Sequence, residues 1–103
     1  MLGWHVNVYR QLDGSAPATQ TSPEGTRIAS WDTGISGLSW LDQLAADGHA
    51  FCFSSQGYPE RYTAQARHVV PYLLAHKPRE NERAAAQACA DDEWLLVEAW
   101  DQS

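Results

Sequence analysis

The segment from Glu93 to Asp101 (EWLLVEAWD) constrains the fold more strongly than any other part of the chain. It has the alternating pattern of a β-strand, and its side chains are apolar on both sides. One side carries Leu95, Val97 and Ala99, and the other carries Trp94, Leu96 and Trp100, interrupted by Glu98. A strand that is apolar on both sides is usually interior to its sheet. We therefore predict that this strand is central and lies beside a strand at Trp4 to Gln11.

Strand and helix patterns alternate along the rest of the chain. Further strands are predicted at 26–31 and 49–54. Helices are predicted between Ser36 and Asp47, from Thr63 to the residues before Pro78, and from Glu82 to Ala90. The order β-β-α-β-α-(α)-β predicts an α+β fold, with a mostly antiparallel four-stranded sheet and helices packed on one face.

Length and composition indicate a single compact domain over residues 1–103. The chain is 44% hydrophobic and 19% charged, which is typical of a folded protein. The loop at about 12–25, rich in Pro, Gly, Ser and Thr, is predicted to be mobile. The first residues lack the basic region and apolar run of a signal peptide, and no stretch approaches the ~20 apolar residues of a membrane span. We expect a cytoplasmic protein without membrane contact, and its two cysteines are expected to be free thiols.

The net charge of −6 arises entirely in the last 24 residues. Six acidic and six basic residues cancel between Met1 and Arg79, and Arg83 is then the single base against seven acids. The seven are Glu80, Glu82, Asp91, Asp92, Glu93, Glu98 and Asp101. A one-sided negative field attracts cationic surfaces and repels phosphate backbones.

This asymmetry predicts a small acidic, non-enzymatic interaction protein that binds a partner protein with a basic surface. The size and charge fit an inhibitor, such as an immunity protein, an antitoxin or a phage-encoded blocker of the anti-CRISPR kind, that covers a nucleic-acid-binding surface. The sequence also leaves open that the chain forms a homodimer. The predicted partner-binding residues are Asp91, Asp92, Glu93, Trp94, Glu80, Glu82, Tyr58, Arg61 and Tyr62.

A nucleic-acid-binding module is the first alternative. The predicted turn at 56–67 combines aromatic rings with guanidinium groups, which suits stacked bases and phosphates: Tyr58, Arg61, Tyr62 and Arg67. A pI near 4.9 disfavours nucleic acid as the partner, because binding to phosphates needs several basic residues.

A small enzyme is the second alternative. Glu98 lies among indole rings in the predicted strand, and burial would suit it to acid catalysis. Cys52 could act as a nucleophile if His5 or His49 lay beside it. The histidines, which also include His68 and His76, lack the spacing of a zinc site, and we find no cofactor motif. The sequence therefore favours a protein without catalytic residues, metal or cofactor.

Overall fold

The computed structural model describes residues 3–19, 24–54, 59–76 and 78–102. These residues form five strands and three helices. In chain order they are β1 (Trp4–Arg10), β2 (Arg27–Thr33), α1 (Ser39–Ala46), β3 (Ala50–Ser54), β4 (Glu60–Gln65), α2 (Ala66–Ala75), α3 (Glu80–Gln87) and β5 (Trp94–Asp101). The α+β class predicted from the sequence is confirmed.

The five strands form one antiparallel sheet in the order β2-β1-β5-β4-β3. Two hairpins, β1–β2 and β3–β4, lie on either side of β5. Val6 of β1 pairs with Ala99, and Tyr62 of β4 pairs with Val97. The predicted central position of β5 beside β1 is therefore confirmed by its pairing, and both edge strands are the outer members of hairpins.

The prediction of four strands is wrong, because Glu60–Gln65 forms β4 where the sequence analysis placed a turn and the start of a helix. Tyr62 and Ala64 point into the core, while Arg61 and Thr63 point to the other face of the sheet. Thr63 is polar yet 2% exposed. Only two apolar residues, Tyr62 and Ala64, alternate with polar ones here, which is a weak strand pattern in a sequence.

The helices cover one face of the sheet and form the core with it. Leu41 of α1, Val69 and Leu73 of α2 and Ala86 of α3 belong to the same buried cluster as Val6, Val8, Leu95, Val97 and Ala99 of the sheet. Ala86 adds little apolar area, but its small side chain lets α3 pack closely. The longest described helix has ten residues, and none of the described helices is long and apolar enough to cross a membrane.

The start of α2 is fixed against the turn that precedes β5. The first N–H groups of a helix have no partner within it. Here the N–H groups of Ala66 and Arg67 donate to the carbonyl oxygens of Glu93 and Asp91, at 2.8 and 3.0 Å. The turn at 91–93 is thereby held in place, which positions the acidic residues that the sequence analysis singled out.

The other face of the sheet, which we call the open face, is crossed by a row of polar residues. Each strand contributes one, paired in register with its neighbours: Ser30, Asn7, Glu98, Arg61 and Ser54 from β2, β1, β5, β4 and β3. Asn7 is 6% exposed and Glu98 is 3% exposed. The centre of the open face is therefore buried although none of the three described helices packs on it.

The loop that follows β1 lies against one end of the open face. The N–H of Ala18 donates to the hydroxyl of Thr63 at 2.8 Å, and the N–H of Trp94 donates to the carbonyl of Gly14 at 2.8 Å. Residues 20–23 of this loop lie outside the described residues, so the predicted mobility of 12–25 stays a prediction.

Candidate functional site

A cleft of about 710 Å³ runs along the outer edge of β2. Its volume is in the range of small-molecule sites. Residues of β2 and His5 of β1 form one side, and the end of α2 with the start of α3 forms the other. We call this the edge cleft. It lies where an edge strand leaves backbone groups without a further strand to pair with.

One wall of the edge cleft is aromatic. Tyr72 and His76 are one turn apart on α2, and their rings stack with 4.0 Å between centroids. Tyr72 also stacks on Trp40, at 4.1 Å, and lies 6.3 Å from Trp31 of β2. Each ring fixes the orientation of the next, and the two faces of the Tyr72 ring are covered by Trp40 and His76.

Charged groups line the rest of the edge cleft. Arg27 and Arg79 are both exposed and bring guanidinium groups to it. Glu82 accepts hydrogen bonds from the N–H groups of Ser30 and Arg79, at 3.3 and 3.1 Å. This carboxylate ties α3 to β2, and much of its hydrogen-bonding capacity is used within the molecule.

Three side chains on the open face lie in line beside the edge cleft. His5 and Asp32 are directly paired across β1 and β2, and His5 Nδ1 lies 2.7 Å from Asp32 Oδ1. The other ring nitrogen, Nε2, lies 3.3 Å from the hydroxyl oxygen of Ser30. All three residues line the edge cleft.

The carboxylate of Asp32 is held by two donors. Besides His5, the side-chain amide of Gln102 donates to Asp32 Oδ1 at 3.2 Å. The hydrogen bond from His5 is the main cause that lowers the pKa of Asp32 below its ordinary value. Asp32 is therefore ionised at neutral pH, and it stabilises the ring orientation in which His5 Nδ1 carries the proton.

Of the predicted acidic docking residues, Glu93 is engaged within the molecule. Its two carboxylate oxygens accept from Arg10 Nε and Nη2 at 2.7 and 2.9 Å. This pairing is the main cause that lowers the pKa of Glu93 and raises the pKa of Arg10. The side chain of Glu93 is 11% exposed. The ion pair joins the start of β5 to the end of β1.

Glu80 is exposed at the start of α3, and Asp91 and Asp92 are exposed in the turn that follows its end. The two aspartates adjoin an aromatic pair, because Trp94 lies 6.2 Å from Phe51 between ring centroids. Phe51 is 50% exposed. We call these four residues, Phe51, Asp91, Asp92 and Trp94, the aromatic-acidic patch.

The predicted Tyr and Arg contributors lie on β4. Arg61 Nε donates to Glu98 at 3.3 Å, and both side chains are largely buried. Tyr62 is 5% exposed in the core and donates its hydroxyl hydrogen to Glu60 at 3.0 Å. Burial is the first cause that raises the pKa of Tyr62, and the neighbouring carboxylate of Glu60 adds to it. Tyr58 lies outside the described residues.

Glu98, the first enzyme candidate, lies at the centre of the polar row. Asn7 is its neighbour on β1, and the side-chain oxygen of Asn7 is buried with no hydrogen-bond partner among the described residues. Arg61 supplies the counter-charge from β4. The arrangement explains how a carboxylate can be 3% exposed in this sheet.

Cys52 and the histidines do not converge. Cys52 is paired with Tyr62 and so points to the helix-covered side, whereas His5 points to the open face. Burial is the main cause that raises the pKa of the Cys52 thiol, which favours its protonated form. His49 and His68 stack with 4.1 Å between ring centroids, an arrangement in which their in-plane lone pairs do not meet. Within the described ranges no group of three or more His, Cys, Asp and Glu residues could hold a metal ion.

Sequence reasoning missed Ser30 and Asp32 as functional candidates. The predicted second strand ended at Trp31, so Asp32 was not placed opposite His5. Their pairing depends on the register between β1 and β2, which a long loop separates. The alternation Ser30, Trp31, Asp32 continues one residue beyond the predicted end of the strand, and this was the available signal.

No protein-family model, curated protein or solved structure matches this chain.

Proposed function

We propose that this chain is an interaction protein of the inhibitor kind, which binds a partner protein with a basic, nucleic-acid-binding surface and covers that surface. The observation that carries the proposal is the aromatic-acidic patch. It combines two exposed carboxylates with an exposed phenylalanine and a partly buried tryptophan. Carboxylates steer a cationic partner, and aromatic rings supply most of the contact energy at the centre of an interface.

The charge that reaches the surface supports this proposal. Arg10 and Arg61 are engaged with Glu93 and Glu98, so these two bases contribute little to the outer field. Among the described residues eight exposed acids remain against four exposed bases. The acids are Asp13, Glu24, Asp32, Asp42, Asp47, Glu80, Asp91 and Asp92, and the bases are Arg27, Arg67, Arg79 and Arg83.

The aromatic pair lies on the open face, away from the helices. Phe51 pairs with Thr63, and Trp94 pairs with Gln65, so the rings flank β4 on the same side of the sheet. The amide of Gln65 also donates to the carbonyl of Asp92 at 3.4 Å. This contact joins the acidic turn to the sheet, so a partner would meet carboxylates and rings held in fixed relation.

The test compares two charge-reversed variants against a partner isolated by affinity capture. Asp91→Lys with Asp92→Lys changes the patch, and Glu24→Lys with Asp47→Lys is the matched control at exposed acids elsewhere. Each pair removes two negative charges and adds two positive ones, which takes the net charge from −6 to −2. We expect the patch variant to weaken binding by about tenfold or more and to flatten its salt dependence.

The control pair is expected to change the dissociation constant by less than about threefold, since remote charges act only through screened long-range attraction. Phe51→Ala should weaken binding with the salt dependence intact, because it removes contact area and leaves the charge. Equal weakening by the two charge-reversed pairs would contradict a specific patch. Binding that survives both reversals would contradict the proposal itself.

A further inference from the structure

The line Asp32–His5–Ser30 has the order of an acid that orients a base, the base itself and a nucleophile. Asp32 accepts from His5 Nδ1–H at 2.7 Å. The ring's other nitrogen, Nε2, then carries the lone pair, and the Ser30 hydroxyl lies 3.3 Å from it. In proteins without substrate such contacts are often longer than in the reacting complex.

The backbone geometry explains why these three groups stay in line. Asn7 pairs with Ser30 and His5 pairs with Asp32, so the serine lies diagonally across from the histidine on the same face of the sheet. Diagonal cross-strand neighbours are within reach of a ring side chain. The N–H of Ser30 is fixed to Glu82, which holds this part of the edge strand against α3.

The edge cleft supplies what such a line needs around it. Arg27 and Arg79 line the same cleft as Ser30, His5 and Asp32. A positive group beside a reacting carbonyl stabilises the oxygen on which negative charge develops. From the geometry and this lining we propose that the edge cleft hydrolyses carboxylic esters, with Ser30 as the nucleophile.

In the first step Ser30 Oγ attacks the ester carbonyl carbon and its proton passes to His5 Nε2. The carbon–oxygen bond to the alcohol then breaks, and His5 returns the proton to the departing oxygen. In the second step water attacks the acyl–Ser30 ester and gives its proton to His5. The acyl–Oγ bond breaks, the carboxylic acid leaves, and His5 returns the proton to Ser30. Water and the ester are the sole reactants.

We expect a slow catalyst, because the Asp32 side chain is 70% exposed and water weakens its hold on His5. The probe is p-nitrophenyl acetate, with release of nitrophenol measured as a rate and acetylation located by peptide mass spectrometry. Ser30→Ala and His5→Gln should each lower the rate by ~10-fold or more. The acetyl group should be found on Ser30.

The matched control is Ser54→Ala, which removes the serine of the polar row on the opposite edge strand and should leave the rate unchanged. Acetylation at another residue, or equal rates for Ser30→Ala and the unaltered protein, would overturn the proposal. Near-ultraviolet circular dichroism of each variant separates loss of the nucleophile from loss of the fold.

Asp32 is a positioning residue in this scheme. Asp32→Asn should lower kcat with KM unchanged, since it disturbs the proton position on His5 and leaves the other residues that line the edge cleft in place, and Asp32→Glu should recover part of kcat. A change confined to KM would contradict that role. The activity is independent of the proposed inhibition, and Ser30→Ala should bind the captured partner with unaltered affinity.

Discussion

Leu95 and Leu96 are adjacent on β5, are both 0% exposed, and point to opposite faces of the sheet. Leu95 is packed in the apolar cluster beneath the helices. Leu96 pairs with Tyr9 and Thr63 on the open face, beside the polar row. Burial in this protein is therefore reached in two ways, by apolar packing under helices and by paired polar groups on the open face.

This difference predicts how the stability of each face responds to substitutions. An apolar cluster loses stability in proportion to the volume removed. A buried polar pair is different, because removing one member leaves the other without its partner in a place that water does not reach. The polar row should accordingly be more sensitive to single changes and less sensitive to paired ones than the core.

The largest effect is expected for Arg61→Ala. It leaves the Glu98 carboxylate, 3% exposed, without its counter-charge, and we expect a loss of about 3–5 kcal/mol in the free energy of unfolding. The double variant Arg61→Met, Glu98→Leu should recover most of that loss, because apolar side chains of similar size can replace a buried ion pair. Urea unfolding of both variants measures the difference. If the double variant were as unstable as Arg61→Ala, the open face would not differ from the core in its response to paired substitutions.

The next effect compares the two leucines. Leu95→Ala should cost about 3–4 kcal/mol, since helices and sheet surround it and cannot close fully around the cavity. Leu96→Ala should cost about 2–3 kcal/mol, because the loop after β1 can move inward on the open face. Both values come from denaturant unfolding monitored by tryptophan fluorescence. A larger cost for Leu96→Ala would show that the open face is the more rigidly packed of the two.

The smallest effect concerns the ion pair of Arg10 and Glu93, in which Arg10 is paired with Leu95 and so lies on the helix-covered side of the sheet. Glu93→Gln should cost about 1 kcal/mol at neutral pH, since the Arg10 side chain is 38% exposed and solvent weakens the pair. The pKa of Glu93 is lowered from its ordinary 4.5 in the folded state. The pair's contribution is therefore complete above about pH 4.5 and is lost as the pH falls through the lowered value.

Thermal unfolding from pH 7 downward measures this contribution. The difference in melting temperature between Glu93→Gln and the unaltered protein should shrink below pH 4.5. A difference that stays constant to low pH would show that the glutamate contributes through packing and hydrogen bonds and that its charge adds little.

The same contrast decides how far the sequence could predict the fold. β5 was placed correctly because it carries apolar residues on both of its faces. Both kinds of burial, under the helices and beside the polar row, select apolar residues in this strand. β4 was missed because Arg61 and Thr63 are buried by pairing and by contact with the loop, which their side-chain types do not indicate. Polar residues on the open face look like surface residues in the sequence.

The candidate sites were predictable only where neighbours in sequence are neighbours in space. Asp91, Asp92 and Trp94 fall within four residues, so the aromatic-acidic patch was partly visible, whereas Phe51 joins it through strand pairing. His5, Ser30 and Asp32 come together through the register of β1 and β2. The engagement of Glu93 by Arg10 likewise depends on β5 lying beside β1, and the net charge of a segment does not reveal such pairing.

The position of β5 has a consequence for synthesis on the ribosome. β5 is the last of the strands to be translated, yet it joins the two hairpins, and Trp4 pairs with Asp101. Until it emerges, β1 and β4 each expose a pairing edge, which in a nascent chain invites wrong partners. Contacts so distant in sequence also form slowly. The protein should therefore complete its sheet only after residue 101 has left the exit tunnel.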